Sequence, residues 1–203
     1  MYSTRHGLIL GFHGTDEEVA LKVVSKTQHL KASKNNWDWL GHGVYFWENS
    51  LERAREYVQA AQSQSRSKIR TPTVLGAVLE LGRCLDLLDY RNFELLGQAY
   101  ITLGQTRKGV DLPRNRDPKN AHPGDFLLRE LDCAVLETVH EINQTAGLPH
   151  FDSVRGVFWE GQPIYPTAGF REKNHIQICI RNPNCIKGFF IPRDAVSFDG
   201  VVK

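Results

Sequence analysis

Short apolar runs recur along the chain, and their composition predicts strands. The first reads LILGF, the second VYFW and the third TVLGAVLEL, each rich in branched or aromatic side chains. Such side chains fit the surface of a buried or half-buried strand. A segment at 84–88 either extends the third strand or begins a turn. The predicted strands cover residues 8–12, 44–47, 73–81, 153–160, 175–180 and 186–191.

Between these runs, apolar residues three or four positions apart predict four amphipathic helices. The first follows a cap at Thr15 or Asp16 and ends near Ser25, with acidic residues in its first turn. The second follows a cap at Asn49 or Ser50 and has an apolar face. The other two helices are predicted at residues 93–103 and 126–143.

Strands at both ends of the chain, with helices between them, predict an α+β fold rather than the regular alternation of a parallel doubly wound sheet. A length of 203 residues fits one domain, which we assign to residues 1–203. Residues 104–124 are rich in proline, glycine, asparagine and arginine, with five basic and two acidic residues. A stretch of this length exceeds an ordinary connection, so we predict an inserted loop there.

The composition bears on several classes of protein. The net charge is +2 and the isoelectric point about 8.3, too weakly basic for a protein that coats DNA, although an acidic partner is permitted. No apolar run approaches the roughly 20 residues of a membrane helix, and we see no secretion signal. The four cysteines lack CxxC and zinc spacings. We therefore predict buried reduced thiols, no metal site, no membrane contact and a cytoplasmic location.

Three stretches carry residues suited to chemistry. FHGT (12–15) places a histidine beside a glycine, where a turn before a helix cap is the alternative to a ligand contact. LGHGVYFWE (40–48) combines a GxG with aromatic residues, which suits either close backbone approach and stacking or a packed core strand. In HIQICI, alternation places His175, Gln177 and Cys179 on one strand face, which either is solvated at a sheet edge or lines a cleft.

Taken in this order, the three stretches resemble the ADP-ribosyltransferase superfamily, in the branch that contains diphtheria toxin and the poly(ADP-ribose) polymerases. That branch has HGS or HGT on its first strand, a GxGxYF stretch, and a late strand with an acidic residue before an asparagine turn. Here the matching residues are HGT at 13–15, GHGVYF at 41–46 and HIQICIRNP at 175–183, with Tyr57 one helix length after the second. The resemblance implies two facing, mostly antiparallel sheets around an NAD cleft, flanked by helices.

The resemblance also implies roles toward NAD, which would be a co-substrate. His13 would bind a ribose hydroxyl of the adenosine half, and the backbone of Gly14 would read the nicotinamide carboxamide. Tyr45 and Tyr57 would stack on the two faces of the nicotinamide ring. The predicted NAD-binding residues are His13, Gly14, Thr15, Gly43, Tyr45 and Tyr57, and the predicted catalytic residues are Gln177, His175 and Tyr45.

One position departs from the family pattern, because Gln177 stands where the branch has a catalytic glutamate. A glutamine keeps a hydrogen bond to a ribose hydroxyl but lacks the negative charge that favours an oxocarbenium-like transition state. We expect a rate about 10- to 100-fold lower, and transfer of one ADP-ribose rather than a polymer. Glu160, Glu172 and His175 are candidates to restore part of the lost function, His175 by orienting or deprotonating the acceptor.

These inferences predict an NAD-dependent mono-ADP-ribosyltransferase of the kind found among bacterial toxins and anti-phage effectors, for which an antitoxin would be a partner. The acceptor is a macromolecule, either protein or nucleic acid. Residues 107–119 of the basic loop at 104–124 suit phosphate contacts of RNA or DNA, and the alternative is an ordinary solvated loop. Two alternatives stay open. One is a catalytically inert module that binds NAD or ADP-ribose, which Gln177 would suit. The other is an NAD-dependent RNA 2′-phosphotransferase, although that family depends on a different set of basic residues.

Overall fold

The computed structural model describes residues 7–119 and 121–193, so both ends of the predicted domain lie outside the described residues. Nine strands and four helices follow one another in the described chain, and they confirm the α+β class. In chain order the elements are β1 (Ile9–Asp16), α1 (Glu17–Val24), β2 (Val44–Glu48), α2 (Leu51–Gln62), β3 (Pro72–Leu79), β4 (Cys84–Asp86), α3 (Phe93–Thr106), β5 (Asn115–Arg116), β6 (Leu128–Arg129), α4 (Glu130–Thr145), β7 (Ser153–Phe158), β8 (His175–Ile180) and β9 (Ile186–Phe190).

Seven of the strands form one sheet in the order β4-β7-β8-β2-β1-β3-β9. Every neighbouring pair is antiparallel except β4 and β7, which are parallel. Strand β8 lies in the interior of this sheet, so the alternative of a solvated edge strand is wrong. Both of its faces are covered, because Ile178 and Ile180 belong to one buried apolar cluster and Cys179 to another.

Short connections force this sheet to curl. Strands β3 and β4 are five positions apart in the order of the sheet. Since neighbouring strands are about 4.8 Å apart, a flat sheet would separate these two strands by about 24 Å. Only residues 80–83 join them, and such a segment spans about 18 Å at most. The connection from β8 to β9 through residues 181–185 is similarly short. The group β4-β7-β8-β2 is therefore brought round toward the group β1-β3-β9.

The two sheets expected from the family resemblance are thus joined into one. Strand β1 pairs with β2 only at Gly11 and Phe12, whereas it pairs with β3 along its whole length. Beyond Phe12, no further backbone pairing joins β1 to β2 among the described residues. We call this unpaired stretch, bounded by β1 from residue 13 and by β2 up to residue 46, the split.

The first motif is strand rather than turn. His13, Gly14 and Thr15 continue β1 and pair in register with β3, so the predicted end of the strand at residue 12 is wrong. Asp16 caps α1 by accepting the N–H of Glu18, which confirms one of the two predicted caps. The side chain of Asp16 also accepts the N–H groups of residues 70 and 71, which anchors the segment before β3.

The predicted loop at 104–124 contains ordered structure. Helix α3 continues into it as far as residue 106, and β5 within it pairs with β6. Helix α4 begins at Glu130 rather than at residue 126, because residues 128–129 belong to β6. The side-chain oxygen of Asn115 accepts the N–H groups of Leu131 and Asp132, so the loop itself caps α4.

All four cysteines are buried and none of them forms a disulfide, as the sequence predicts. They are Cys84, Cys133, Cys179 and Cys185. None of the helices in the described ranges is long and apolar enough to cross a membrane.

Candidate functional site

His13 lies on β1 where the split opens. Its Nδ1 is 2.8 Å from the carbonyl oxygen of Tyr45 on β2. Because a carbonyl only accepts hydrogen bonds, Nδ1 carries the proton, and Nε2 presents a lone pair. Burial lowers the pKa of His13 below its usual value, although its hydrogen bond to Tyr45 opposes that shift. The imidazole is therefore neutral near pH 7 and can accept a hydrogen bond from a ligand hydroxyl at Nε2.

Gly14 is required by the packing of α2 on β1. A Cβ added there would lie 2.6 Å from the carbonyl oxygen of Ala54 and 2.8 Å from Cβ of Val58. The packing of α2 therefore explains the glycine at position 14, and it does not depend on a ligand contact of the Gly14 backbone. Thr15, the third residue of the motif, is half-buried opposite Thr73 of β3.

The GxG stretch is held by internal contacts. The N–H and C=O groups of Gly43 both hydrogen-bond to the backbone of Ser33. A Cβ on Gly43 would lie 2.5 Å from Sγ of Cys179, so β8 also requires glycine at this position. The close approach predicted for this glycine is therefore an approach to neighbouring protein atoms.

Tyr45 is anchored through its hydroxyl group. That hydroxyl donates to the carbonyl of Gly41 at 2.8 Å and accepts the N–H of Leu40 at 2.9 Å. Its ring packs against the cluster formed by α3, α4 and β7, and burial raises the pKa of Tyr45 well above its usual value. The stacking of Tyr45 on nicotinamide stays a prediction, and the structure shows a further role for the residue in holding the 40–41 turn.

The aromatic ring of Tyr57 contacts that of Trp47. The two ring centroids are 4.9 Å apart, and the side chain of Tyr57 is 53% exposed. The indole nitrogen of Trp47 is buried and has no hydrogen-bond partner among the described residues. A buried donor without a partner is costly, and because protein atoms cover Nε1, a ligand oxygen would reach it only after neighbouring side chains move. Trp47 is also the register partner of Gln177 on β8.

Gln177 belongs to a chain of three hydrogen bonds. Trp39 Nε1 is 2.9 Å from Gln177 Oε1, Gln177 Nε2 is 3.2 Å from His175 Nε2, and His175 Nδ1 is 2.6 Å from the carbonyl of Lys173. An indole N–H only donates and a carbonyl only accepts, so the two ends set the direction of every bond between them. Gln177 consequently accepts from Trp39 and donates to His175, whose proton is on Nδ1.

His175 is buried and stacked. Its ring is parallel to that of Phe158 at a centroid distance of 5.2 Å. Burial lowers the pKa of His175 to about 4, so the imidazole is neutral near pH 7. Its one lone pair faces the amide of Gln177. Of the two roles predicted for His175, the geometry favours orientation, and deprotonation of an acceptor stays a prediction.

The two acidic candidates lie on the connection between β7 and β8. Glu160 accepts from Arg53 of α2 at 2.8 Å, and Arg53 also binds Glu56 at 2.7 Å. The Nε atom of Arg53 is buried without a partner among the described residues. Glu172 accepts the N–H of Gln162 at 3.1 Å. Glu160 therefore has a counter-ion at the site, whereas Glu172 shapes the connection.

Sequence reasoning missed Trp39 and Arg129. The guanidinium group of Arg129 lies 5.0 Å from the ring centroid of Trp39 and 4.5 Å from that of Phe158. Arg129 thus braces the two rings that lie against Gln177 and His175. Trp39 also lines a cavity of about 450 Å³ between α3, α4 and β7. Two tryptophans in an otherwise polar segment, KNNWDWLG, are the sequence feature from which Trp39 could have been predicted as a site residue.

A thiol, an imidazole and a carboxylate also meet beside α4. Cys133 Sγ is 3.9 Å from His42 Nε2, and His42 Nδ1 is 3.5 Å from Glu137. Burial raises the pKa of Cys133 to about 11, so the thiol stays protonated. Glu137 pairs with Arg181 at 2.6 Å. This cluster therefore joins α4 to β8 and is unsuited to nucleophilic catalysis.

Within residues 7–119 and 121–193, no three histidine, cysteine or carboxylate side chains converge so that they could hold a metal ion. No family model matches the chain. The uncharacterized protein MJ0359 of Methanocaldococcus jannaschii is 24% identical over 192 residues, which cover 87% of this chain and 83% of that protein. No solved structure was found to match. The similarity to the archaeal protein thus extends along most of both chains, and its name states no activity.

Proposed function

We propose that the protein is an NAD-dependent mono-ADP-ribosyltransferase. The observation that carries the proposal is the split between β1 and β2, with His13 at its mouth and Trp47, Tyr57 and Gln177 beside it. The neutral imidazole of His13 supplies an acceptor and the exposed ring of Tyr57 supplies a stacking face, and the indole N–H of Trp47 lies buried against Tyr57 without a partner. The first two are groups that a nucleotide with ribose hydroxyls and a flat ring requires.

The proposed reaction breaks one bond and forms one bond. The glycosidic bond between C1′ of a ribose and the nicotinamide nitrogen breaks, and nicotinamide leaves with the bonding electrons. The acceptor then bonds to C1′ and loses a proton, which solvent takes up. In this proposal Gln177 accepts a ribose hydroxyl, because its carbonyl oxygen retains one lone pair beside the bond from Trp39. The residue acts by orienting the sugar and does not supply charge.

The neutral amide also bears on the product. Elongation of a polymer needs a base that activates a hydroxyl of the ADP-ribose already attached. Gln177 is no base, and the lone pair of His175 faces Gln177. We therefore propose that one ADP-ribose is transferred to each acceptor site. A toxin or defence effector that acts on a cellular macromolecule, in the cytoplasm and under control of an antitoxin, is the setting that suits such a reaction.

A second candidate is an inert module that binds NAD or ADP-ribose. The favouring observation is that both polar atoms of the Gln177 amide already have protein partners. Release of nicotinamide separates the two candidates, because a binding module retains NAD without cleaving it.

The experiment is incubation of the purified protein with NAD labelled in its adenylate and a cell extract, followed by protease or nuclease. We expect free nicotinamide and label in one macromolecular fraction. The Gln177→Ala variant should lose labelling, and Trp37→Phe, at an exposed tryptophan outside the hydrogen-bond chain, should retain it. Retained NAD without nicotinamide release would favour the binding module, and labelled polymer would contradict transfer of a single ADP-ribose.

A further inference from the structure

The connection between β7 and β8 forms an arm at the site. We define the arm as residues 159–174. Its two sides are joined by backbone hydrogen bonds from Lys173 N–H to Glu160 C=O, from Glu172 N–H to Gln162 C=O and from Ile164 N–H to Phe170 C=O. The arm is therefore a hairpin-like extension of β7 and β8. His175 and Gln177 lie at its base, since β8 begins where the arm ends.

Aromatic rings on the arm face solvent. Trp159 is 56% exposed, Tyr165 is 55% exposed and Phe170 is 63% exposed. None of the three rings belongs to a buried apolar cluster of the described residues. The arm therefore presents three exposed rings to solvent beside the candidate site.

The arm is tethered to the end of the basic loop. The carboxylate of Asp125 is buried and accepts the N–H of Gly161 at 3.0 Å and Nη1 of Arg171 at 3.1 Å. Phe126, beside it, is a fourth exposed ring. The arm, through Gly161 and Arg171, is consequently joined to the end of the basic loop at Asp125, where Arg129 also donates to the backbone carbonyls of Asp125 and Phe126.

The charges of this neighbourhood favour an anionic partner. Residues 104–124 carry five basic and two acidic residues, and one of the acids, Asp117, accepts the N–H groups of Gly124 and Phe126. The acids of the arm are also engaged, Glu160 by Arg53 and Glu172 by the backbone. Lys119 and Lys173 make no ion pair within the described ranges. Arg116 of the loop pairs with Glu130 at 2.9 Å, so Lys173 on the arm and Lys119 in the loop are the cations that we assign to an anionic partner.

We propose that the arm and the adjoining basic loop bind single-stranded nucleic acid, which serves as the acceptor of ADP-ribose. This inference rests on the proposed function. Exposed rings stack on bases, and cations beside them track the phosphates, which is how proteins bind single strands without reading sequence. A strand lying along the arm would pass the base of the hairpin, where Gln177 and His175 lie. An exposed base or ribose would there reach the split.

The test is a titration of the full chain with a fluorescein-labelled 12-nucleotide RNA of mixed sequence, followed by fluorescence anisotropy. We expect each of Trp159→Ala, Tyr165→Ala and Phe170→Ala to weaken binding about 10-fold. A plot of the logarithm of the affinity against the logarithm of the salt concentration should have a slope of about −0.7 for each phosphate contact. Tyr90→Ala removes an exposed ring far along the chain from the arm and is the matched control, with no change expected.

Nicotinamide release is measured on the same preparations, so the two proposals fail separately. Label from NAD should enter the RNA, and the arm variants should lose RNA labelling while the basal release of nicotinamide to water persists. Release of nicotinamide with label in protein alone, or RNA binding unchanged in all three arm variants, would overturn the inference and leave the proposed function standing. Absence of nicotinamide release would contradict the proposed function, while the anisotropy of the arm variants would still decide whether the arm binds RNA.

Discussion

At the scale of single residues, the surroundings of position 177 fit a glutamine and disfavour a glutamate. The donor-only indole of Trp39 and the acceptor-only carbonyl of Lys173 leave a lone pair on His175 Nε2 that needs a donor. The amide nitrogen of Gln177 supplies that donor. A carboxylate would place an acceptor against an acceptor, unless His175 gained a proton. The departure from the family pattern is thus matched by its neighbours.

The substitution Gln177→Glu should raise the pKa of His175 from about 4 by at least one unit, because a neighbouring carboxylate favours the imidazolium form. The measurement is an NMR titration of the histidine ring signals, with His175→Asn to assign the signal. Gln64→Glu, at an exposed position after α2, is the control and should leave the titration unchanged. A His175 pKa that stays near 4 in Gln177→Glu would show that the two side chains do not interact as described.

Trp39 is a positioning residue, since its N–H orients the amide of Gln177. The variant Trp39→Phe keeps a ring beside Arg129 and Phe158 and removes one hydrogen bond. We expect kcat for nicotinamide release to fall about three- to tenfold, with KM for NAD little changed, as loss of a net bond of about 1 kcal/mol predicts. Trp37→Phe should have wild-type kinetics. An equal loss in both variants would point to general damage, and an unchanged kcat in Trp39→Phe would remove Trp39 from the site.

At the scale of elements, the sequence predicts most strands and helices to within a few residues, and it fails where distant segments decide. The strand at 8–12 continues through His13 and Gly14 because β3 pairs with it along its whole length. The start of α4 is set by Asn115, which lies 15 positions before Glu130 in the chain and caps the helix from the loop. Neither partner is visible in the local pattern of apolar residues.

Gly14 and Gly104 provide a matched pair of substitutions. Gly14→Ala should lower the free energy of unfolding by roughly 1–3 kcal/mol, because its Cβ would overlap Ala54 and Val58 of α2. Gly104 lies in α3, and no heavy atom is near the Cβ that alanine would add. Gly104→Ala should therefore raise the free energy of unfolding by about 0.5–1 kcal/mol, because alanine has the higher helix propensity. Urea unfolding of both variants is the measurement. Equal effects in both would contradict the packing described for α2.

At the scale of the whole molecule, the candidate site is assembled from segments far apart in the chain. The sequence predicted His13 and Gln177 as residues of one NAD cleft, and it singled out neither Trp47 nor the strand order β1-β2-β8 that brings the three residues close. Their exact contacts could not be predicted, because Trp39 enters from a polar loop and Arg129 from the edge of a predicted insertion. Only the curl of the sheet and the path of that loop bring them together.

Buried histidines should make the molecule less stable in weak acid. The pKa values of His175 and His140 are about 4 in the folded protein against 6.5 as the usual value, and that of His13 is also lowered. Below pH 6.5 the unfolded chain therefore binds more protons than the folded one, and stability falls as the pH falls. We expect a loss of about 1 kcal/mol per pH unit for each of His175 and His140 between pH 6.5 and 5, with a further loss of the same sign from His13.

Urea unfolding at pH 7, 6 and 5 measures this loss, in a window above the pKa range of ordinary carboxylates. The variant His140→Phe, which removes one of the three groups, should show a smaller slope. A free energy of unfolding that is constant from pH 7 to 5 would mean that these histidines are protonated in the folded protein as readily as in the unfolded chain.

The measurement that tests the central claim most directly is the release of nicotinamide from NAD by the purified protein, followed by chromatography. We predict slow but continuous release by the wild type, with loss of release in His13→Ala and Gln177→Ala and retention in Trp37→Phe. Each variant is compared with the wild type for thermal unfolding, so that loss of fold is seen separately. NAD that remains intact with the wild-type protein would contradict the claim that the split between β1 and β2 is the active site of a transferase.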